Sequence, residues 1–231
     1  MRLRSVLVPA VVAAVAVFAV PTSAEAAVQC GIIMPTKVVI SAPTVKSDMT
    51  LTSGCFTNEA DHANWDVWHP GSGFGYANDF TSADLAEGAY WQWAWSDDEP
   101  MGRWTTEATG AATGDGTPLT QNDAATLVKY HSTFSVVGIR RETAKLSMYS
   151  TVTQWSGRAH AYVGRPNLPV ALQFKAKGST TWTYVKATTS SSTGKVTMTV
   201  ASPKSGSYRL LVAETNTVWA AYSSAVAGRN V

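Results

Sequence analysis

The 231 residues carry 18 Lys and Arg against 16 Asp and Glu, for a formal net charge of +2, and include nine tryptophans but only two cysteines. Near-neutrality hides a split: Val28 to Tyr130 holds 13 acidic and 4 basic residues, a net of −9, and His131 to Val231 holds 2 and 12, a net of +10. Length allows one or two domains and the charge decides for two; a single uniform surface is excluded, since the acidic half repels polyanions and the basic half attracts them.

Arg2 and Arg4 precede an unbroken apolar run from Val6 to Val20, and Ala24-Glu25-Ala26 supplies the small residues after which a signal peptidase cuts. The chain is therefore expected to carry a signal peptide over 1–26 and to be secreted, with the separated arginines arguing against the twin-arginine route. The run is shorter than the ~20 apolar residues of a spanning helix and no later stretch approaches that length, so the mature protein is not expected to be membrane-embedded. In an oxidising compartment Cys30 and Cys55 read as a disulfide that closes a loop of roughly 25 residues and staples the mature N-terminus. Their spacing lacks the close pairs of zinc modules.

Runs rich in β-formers follow, broken by Gly, Pro and Asn: "TKVVISAP", "DMTLTSG", "NWDVWHPGSGFGYANDF", "AYWQWAW" and "GRWTT". On an extended "AYWQWAW", Trp91, Trp93 and Trp95 share one side, with Tyr90, Gln92 and Ala94 on the other. Three indoles on one face make either a stacking platform for sugar rings or a bulky piece of core. Core is favoured, because large exposed apolar patches are uncommon. Trp68 and Trp104 then become the better ligand-binding aromatics, Trp68 because it shares a face with Asp66 and Trp104 because it follows Arg103 at a strand start. Asp97, Asp98 and Glu99 admit three readings: glycosidase carboxylates, a calcium loop, or a solvated acidic loop. Adjacent carboxylates diverge on an extended chain, and calcium would need further ligands from Asp79, Asp84 or Asp115, so the solvated loop leads.

"LTQNDAATLVKY" is the one stretch that admits a short helical turn, and it falls where an interdomain link belongs. The expected division is an acidic β-sandwich over 27–124 and a basic one over 125–231. The second half repeats the strand signal in "STFSVVG", "AKLSMYSTVTQ", "PVALQFKAKGSTTWTYVKATT", "GKVTMTVASP" and "GSYRLLVAET". Along "SYRLLVAE", Tyr208, Leu210 and Val212 face one side and Arg209, Leu211 and Ala213 the other. The halves read as one plan used twice, each with a glycine-tipped hairpin ("NWDVWHPGSGFGYANDF", "VALQFKAKGSTTWTYVKATT") and a Gly-led final strand ("MGRWTTEATGA", "SGSYRLLVAET").

Ala161-Tyr162-Val163, Pro169 to Phe174, Trp182, Thr193-Gly194, Ser207-Tyr208-Arg209 and Trp219 resemble the immunoglobulin-like repeats of secreted actinobacterial proteins. Trp65-Asp66-Val67-Trp68-His69-Pro70 resembles the companion domain of the same proteins. The resemblance rests on framework and turn positions and implies an all-β fold of two tandem immunoglobulin-like β-sandwich domains over the mature chain; it carries over no catalytic residue, because that family has no established activity.

Motif-bearing enzyme classes lose support: Gly-x-Ser-x-Gly, His-Glu-x-x-His, a phosphate loop and a dinucleotide fingerprint are all missing from the sequence. Of the four histidines, His62, His69, His131 and His160, the pairs Asp61-His62 and Asp66 with His69 could be imagined around a metal, but on a strand-loop-strand segment they read as solvated loop residues. Arg140, Arg141, Lys175, Lys177, Lys186, Lys195, Lys204 and Arg209 are spread over several strands and could form a distributed polyanion surface, although a solubilising surface that also docks on the acidic half leads. No base-reading motif is present and the chain is bound for export, so nucleic acid is not an expected partner. The expectation is a secreted, non-enzymatic binding protein of the cell envelope or medium whose partner is a cell-wall polymer or another secreted protein, with no cofactor unless calcium. An inhibitor of, or accessory factor for, an extracellular enzyme is the alternative, followed by a calcium-dependent or carbohydrate-binding module.

Overall fold

The computed structural model describes residues 29–52, 54–57, 61–82, 91–135, 138–142, 144–201 and 203–228, with Trp91 described in its backbone alone. The signal peptide expected over 1–26 lies outside the described residues, as do Asp84 and Tyr90. Among the described residues no helix is long and apolar enough to cross a membrane.

The architecture is all-β, as expected, and the strands form two face-to-face sheet pairs in sequence. In the first pair, β1 (Ile32–Ile33), β3 (Thr44–Leu51) and β6 (Trp91–Ser96) form one sheet in the order β1-β3-β6. Opposite lies a sheet in the order β2-β8-β7-β4-β5, built from β2 (Lys37–Ile40), β4 (His62–His69), β5 (Phe74–Thr81), β7 (Gly102–Ala112) and β8 (Ala124–Tyr130). Alternation sets its faces: along β4, Ala63, Trp65 and Val67 are buried while His62, Asn64, Asp66 and Trp68 turn outward. Met49, Leu51 and Trp95 meet Val38, Ile40, Trp65, Val67, Trp104 and Val128 in one core. The expected disulfide is present, joining Cys30 to Cys55 with both residues fully buried.

The second pair sets β9 (Ser132–Phe134), β10 (Gly138–Glu142), β11 (Lys145–Ser156), β12 (Ala161–Gly164) and β15 (Lys195–Ala201) against β13 (Pro169–Ala176), β14 (Thr183–Thr189), β16 (Gly206–Val212), β17 (Ala221–Tyr222) and β18 (Val226–Ala227). Leu146, Met148, Val196 and Met198 of one sheet pack on Val170, Leu172, Tyr208, Leu210 and Val212 of the other. The repeated plan is visible in pairing order. Hairpin β4–β5 is followed by β7 and β8 to give β5-β4-β7-β8, and hairpin β13–β14 is followed by β16 and β17 to give β14-β13-β16-β17.

"LTQNDAATLVKY" is corrected from a link with a helical turn to β8, which pairs antiparallel with β7 and parallel with β2. Thr126, Val128 and Lys129 are buried there. The sheet of the first sandwich therefore runs through Tyr130, past the division expected at 124/125.

Little free chain separates the sandwiches. The Tyr130 amide donates to Thr217 O at 3.0 Å, the His131 amide to Ile40 O at 2.8 Å, and the Trp155 amide to His131 O at 2.9 Å. Trp219 of the second half donates its indole N–H to Val38 O at 3.0 Å and lies under the Lys37 ammonium, 4.0 Å from the ring centroid. Buried Lys129 bonds Glu214 and, at 2.7 Å, Thr215 O. These contacts join the acidic and basic halves into a bonded joint.

Candidate functional site

Of the tryptophan stripe, Trp93 and Trp95 pack on the core, as favoured, and the Trp91 side chain lies outside what is described. Trp95 is fully buried with its indole N–H donating to Ser47 Oγ at 2.8 Å, while Gln92 and Ala94 are exposed. Trp93 is half-buried against the same core and stacks edge-on with Tyr76. Trp104 corrects its expected partial exposure: it is fully buried, 5.5 Å from Trp95, and donates to Pro100 O at 2.9 Å. The reason is strand phase. Trp104 lies opposite Thr126 on β8, itself buried, so its position on β7 is inward and Arg103 takes the outward one. Trp68 faces outward beside Asp66 and stays half-buried.

Asp97, Asp98 and Glu99 do not form the solvated loop expected of them, and they do not converge on a common point. Asp98 alone is exposed. Asp97 is 1% exposed and its Oδ2 accepts hydrogen bonds from Trp155 Nε1 and His160 Nδ1, each at 2.9 Å, across the joint between sandwiches. Its carbonyl accepts the Tyr130 hydroxyl at 2.8 Å. A Cβ at Gly157 would stand 2.0 Å from that same carbonyl oxygen, so the close approach of β11's end to the Asp97 turn requires glycine. Glu99 points away, accepting the Tyr76 hydroxyl at 2.7 Å; burial pushes its carboxyl up, and burial together with Glu99 pushes the Tyr76 phenol up to about 12. The triplet is thus a structural turn: a joint residue, a solvated residue and a core-edge residue.

The expected distributed polyanion surface separates into unrelated positions. Arg140 and Arg141 lie on β10, the first paired with Glu142 at 3.2 Å and the second donating to Gly228 O at 3.2 Å. Lys195 stands on β15, and Lys186 on β14 is occupied with Thr199 O. Lys195 also lines a cleft with Tyr149 and Gly138, and Lys175 and Lys177 adjoin a stack of aromatic rings on an arginine. On the outer face of β13, Lys175 lies two residues from Gln173, whose Oε1 accepts Arg209 Nε at 2.8 Å. The Arg209 guanidinium sits 4.1 Å from the ring centroids of both Trp182 and Tyr222, and the Lys175 ammonium is 5.1 Å from Trp182.

This stack presents a cation between aromatic plates, with a further ring at exposed Tyr184, which lies opposite Gln173 in the sheet. Residues 131–231 contain two acidic side chains, Glu142 and Glu214, and both are committed, to Arg140 and Lys129. Among the described residues neither side chain pairs with Arg209 or Lys175. Beside it runs a groove of about 370 Å³ lined by Lys175, Lys177, Ser179, Ser205 and Ser207, with Gly178 and Gly206 keeping its walls low. Ammonium and hydroxyl donors lining one groove suit an anionic group. Along "SYRLLVAE" the two sides alternate as expected, and the structure makes the Tyr208, Leu210 and Val212 side the core and the Arg209 side the outer one; Trp182 and Tyr222 were missed, because a loop residue and a two-residue strand reach Arg209 through tertiary folding alone.

No family model matches the chain, and no curated protein matches it. Among solved structures the chain is similar to a two fibronectin type-III domain segment from chicken tenascin, at 9% identity and a TM-score of 0.40 over 87% of this chain and 96% of that one. It is similar to the D00-D0 domain of intimin at 15% identity and a TM-score of 0.31, over 87% of this chain and 100% of that one. A cytokine receptor complex is similar at 9% identity and a TM-score of 0.37, over 87% of this chain and 97% of the other.

Proposed function

We propose that the chain is a secreted, non-enzymatic binding protein whose second sandwich holds an anionic polymer, of the phosphate-rich kind found in cell walls, on the Arg209 face. The observation that carries this reading is the Arg209 guanidinium fixed between Trp182 and Tyr222 on a face whose half has no uncommitted acidic side chain. Pre-positioning lowers the entropy lost when the cation meets phosphate, and the plates offer stacking area for sugar rings. Export is supported by the leader-like N-terminus and by the disulfide.

The test is retention of the full exported chain on isolated wall polymer as salt is raised. Binding should weaken steeply between low and physiological salt, since exposed charges are screened beyond about 8 Å at physiological ionic strength. Arg209→Ala with Lys175→Ala should weaken binding by about tenfold, the equivalent of ~1.4 kcal/mol, with an unchanged circular dichroism spectrum. Retention indifferent to salt and to both substitutions would overturn the reading. Capture of a single stoichiometric secreted protein in place of polymer would transfer the role to the enzyme-accessory alternative.

A further inference from the structure

The outward face of the first sandwich carries the complement of the Arg209 face. Asp66 on β4 and Glu107 on β7 lie directly opposite each other in the sheet register, with Trp68 two residues along on the same face. Like charges directly opposed across strands are destabilising unless a cation comes between them. Among the described residues neither carboxylate forms an ion pair. A cleft of about 350 Å³ opens at this point, lined by Asp66, Trp68, Tyr76 and Glu107, and it stays open because Gly73 and Gly75 contribute no side chains. At Gly75 a Cβ would stand 2.6 Å from the Trp68 Cβ, so a side chain there would displace the indole. Two carboxylates and an indole around one cleft make a receptor for a guanidinium or ammonium group.

The cations that fit are in the same chain. Lys175 and Arg209 lie on a different sandwich, held to aromatic rings and free of carboxylate partners among the described residues. We propose that a second copy of this chain is the occupant: the Arg209 face of one molecule seats on the Asp66–Glu107 face of the next, head to tail. The two carboxylates of one face answer the two cations of the other, and the halves that carry them have opposite net charges, −9 and +10, which steer one copy's acidic half toward the next copy's basic half. Because the surfaces differ, the contact is heterologous and each docked copy leaves one acidic and one basic face for the next. For its basic surface this inference rests on the face assigned to polymer above. Polymer and second copy are then rivals for Arg209, and polymer releases the copies from one another.

Sedimentation velocity on the full exported chain tests this. At about 0.01 M salt, where the screening length is roughly 30 Å, the sedimentation coefficient should rise with protein concentration, and at about 1 M salt it should fall to the monomer value. Asp66→Lys with Glu107→Lys makes a copy with two basic faces, and Lys175→Glu with Arg209→Glu makes a copy with two acidic faces. Each alone should remain monomeric at low salt, and an equimolar mixture should associate again. A wild-type chain that is monomeric at low salt, or folded variants whose mixture fails to associate, would overturn the proposal. The polymer reading is separable: Asp66→Lys with Glu107→Lys should lose self-association and keep polymer retention. Should the Arg209 variant lose self-association but keep polymer retention, the docking stands and the polymer assignment falls.

Discussion

Removing the Asp97 carboxylate tests whether the joint is an energetic contact or a mere juxtaposition. In Asp97→Ala the Trp155 indole N–H loses its acceptor, and Trp155 is only 7% exposed, so water does not readily replace it. A buried donor left unpaired costs about 1–3 kcal/mol. The His160 contact adds little, because the imidazole side chain is 60% exposed and the pair is screened by solvent. A loss of about 1–3 kcal/mol is therefore expected. Asp97→Asn, which keeps one carbonyl oxygen for Trp155, should recover roughly half of it. Urea unfolding followed by tryptophan fluorescence gives the stabilities, and Trp155→Phe completes a double-mutant cycle. The two single effects should be strongly non-additive, because both delete the same bond. A loss under about 0.5 kcal/mol, or additivity within the usual error of independent sites, would refute the reasoning that Asp97 ties β11 to the first sandwich.

Trp95→Ala, which empties a fully buried position, should destabilise the protein by about 3–5 kcal/mol in the same assay, and Trp93→Ala, at a half-buried one, by less. A Trp93→Ala protein that stays folded yet loses polymer retention would move the binding site to the stripe. Two titrations should shape stability with pH in opposite senses. Burial, aided by Lys37, holds His131 below its ordinary 6.5, so the unfolded chain takes up the proton first and stability falls as pH drops below that value; His131→Phe should remove this loss. Burial raises Glu99 above 4.5, so the folded chain holds its proton longer and stability falls as pH rises from there; Glu99→Gln should flatten that limb of the urea-midpoint profile. Unchanged slopes in both variants would show that these groups do not couple to folding.

Much of this protein is written locally. Alternation in "HANWDVWH" puts Trp68 on the face of Asp66, because side chains on a strand alternate faces whatever the strand packs against, and the packed sheets then bury the opposite face with Trp65 and Val67. The disulfide was legible in an even count of two cysteines, and the hairpins follow from glycine-tipped β-rich runs. Trp104 shows where local inference stops: its inward phase is set by its partner Thr126, a residue of the segment misread as a link. The charge at Asp97 is a second case. A carboxylate run looks solvated until Trp155 and His160, some sixty positions on, arrive to donate to it. The same holds for the Arg209 stack, whose plates come from a loop and a two-residue strand. Sequence alone determined strand, face and half-by-half charge, which depend on neighbours in the chain. Tertiary structure decided which charges are buried, which cations cluster and how the halves join, because those depend on pairings between residues far apart in sequence.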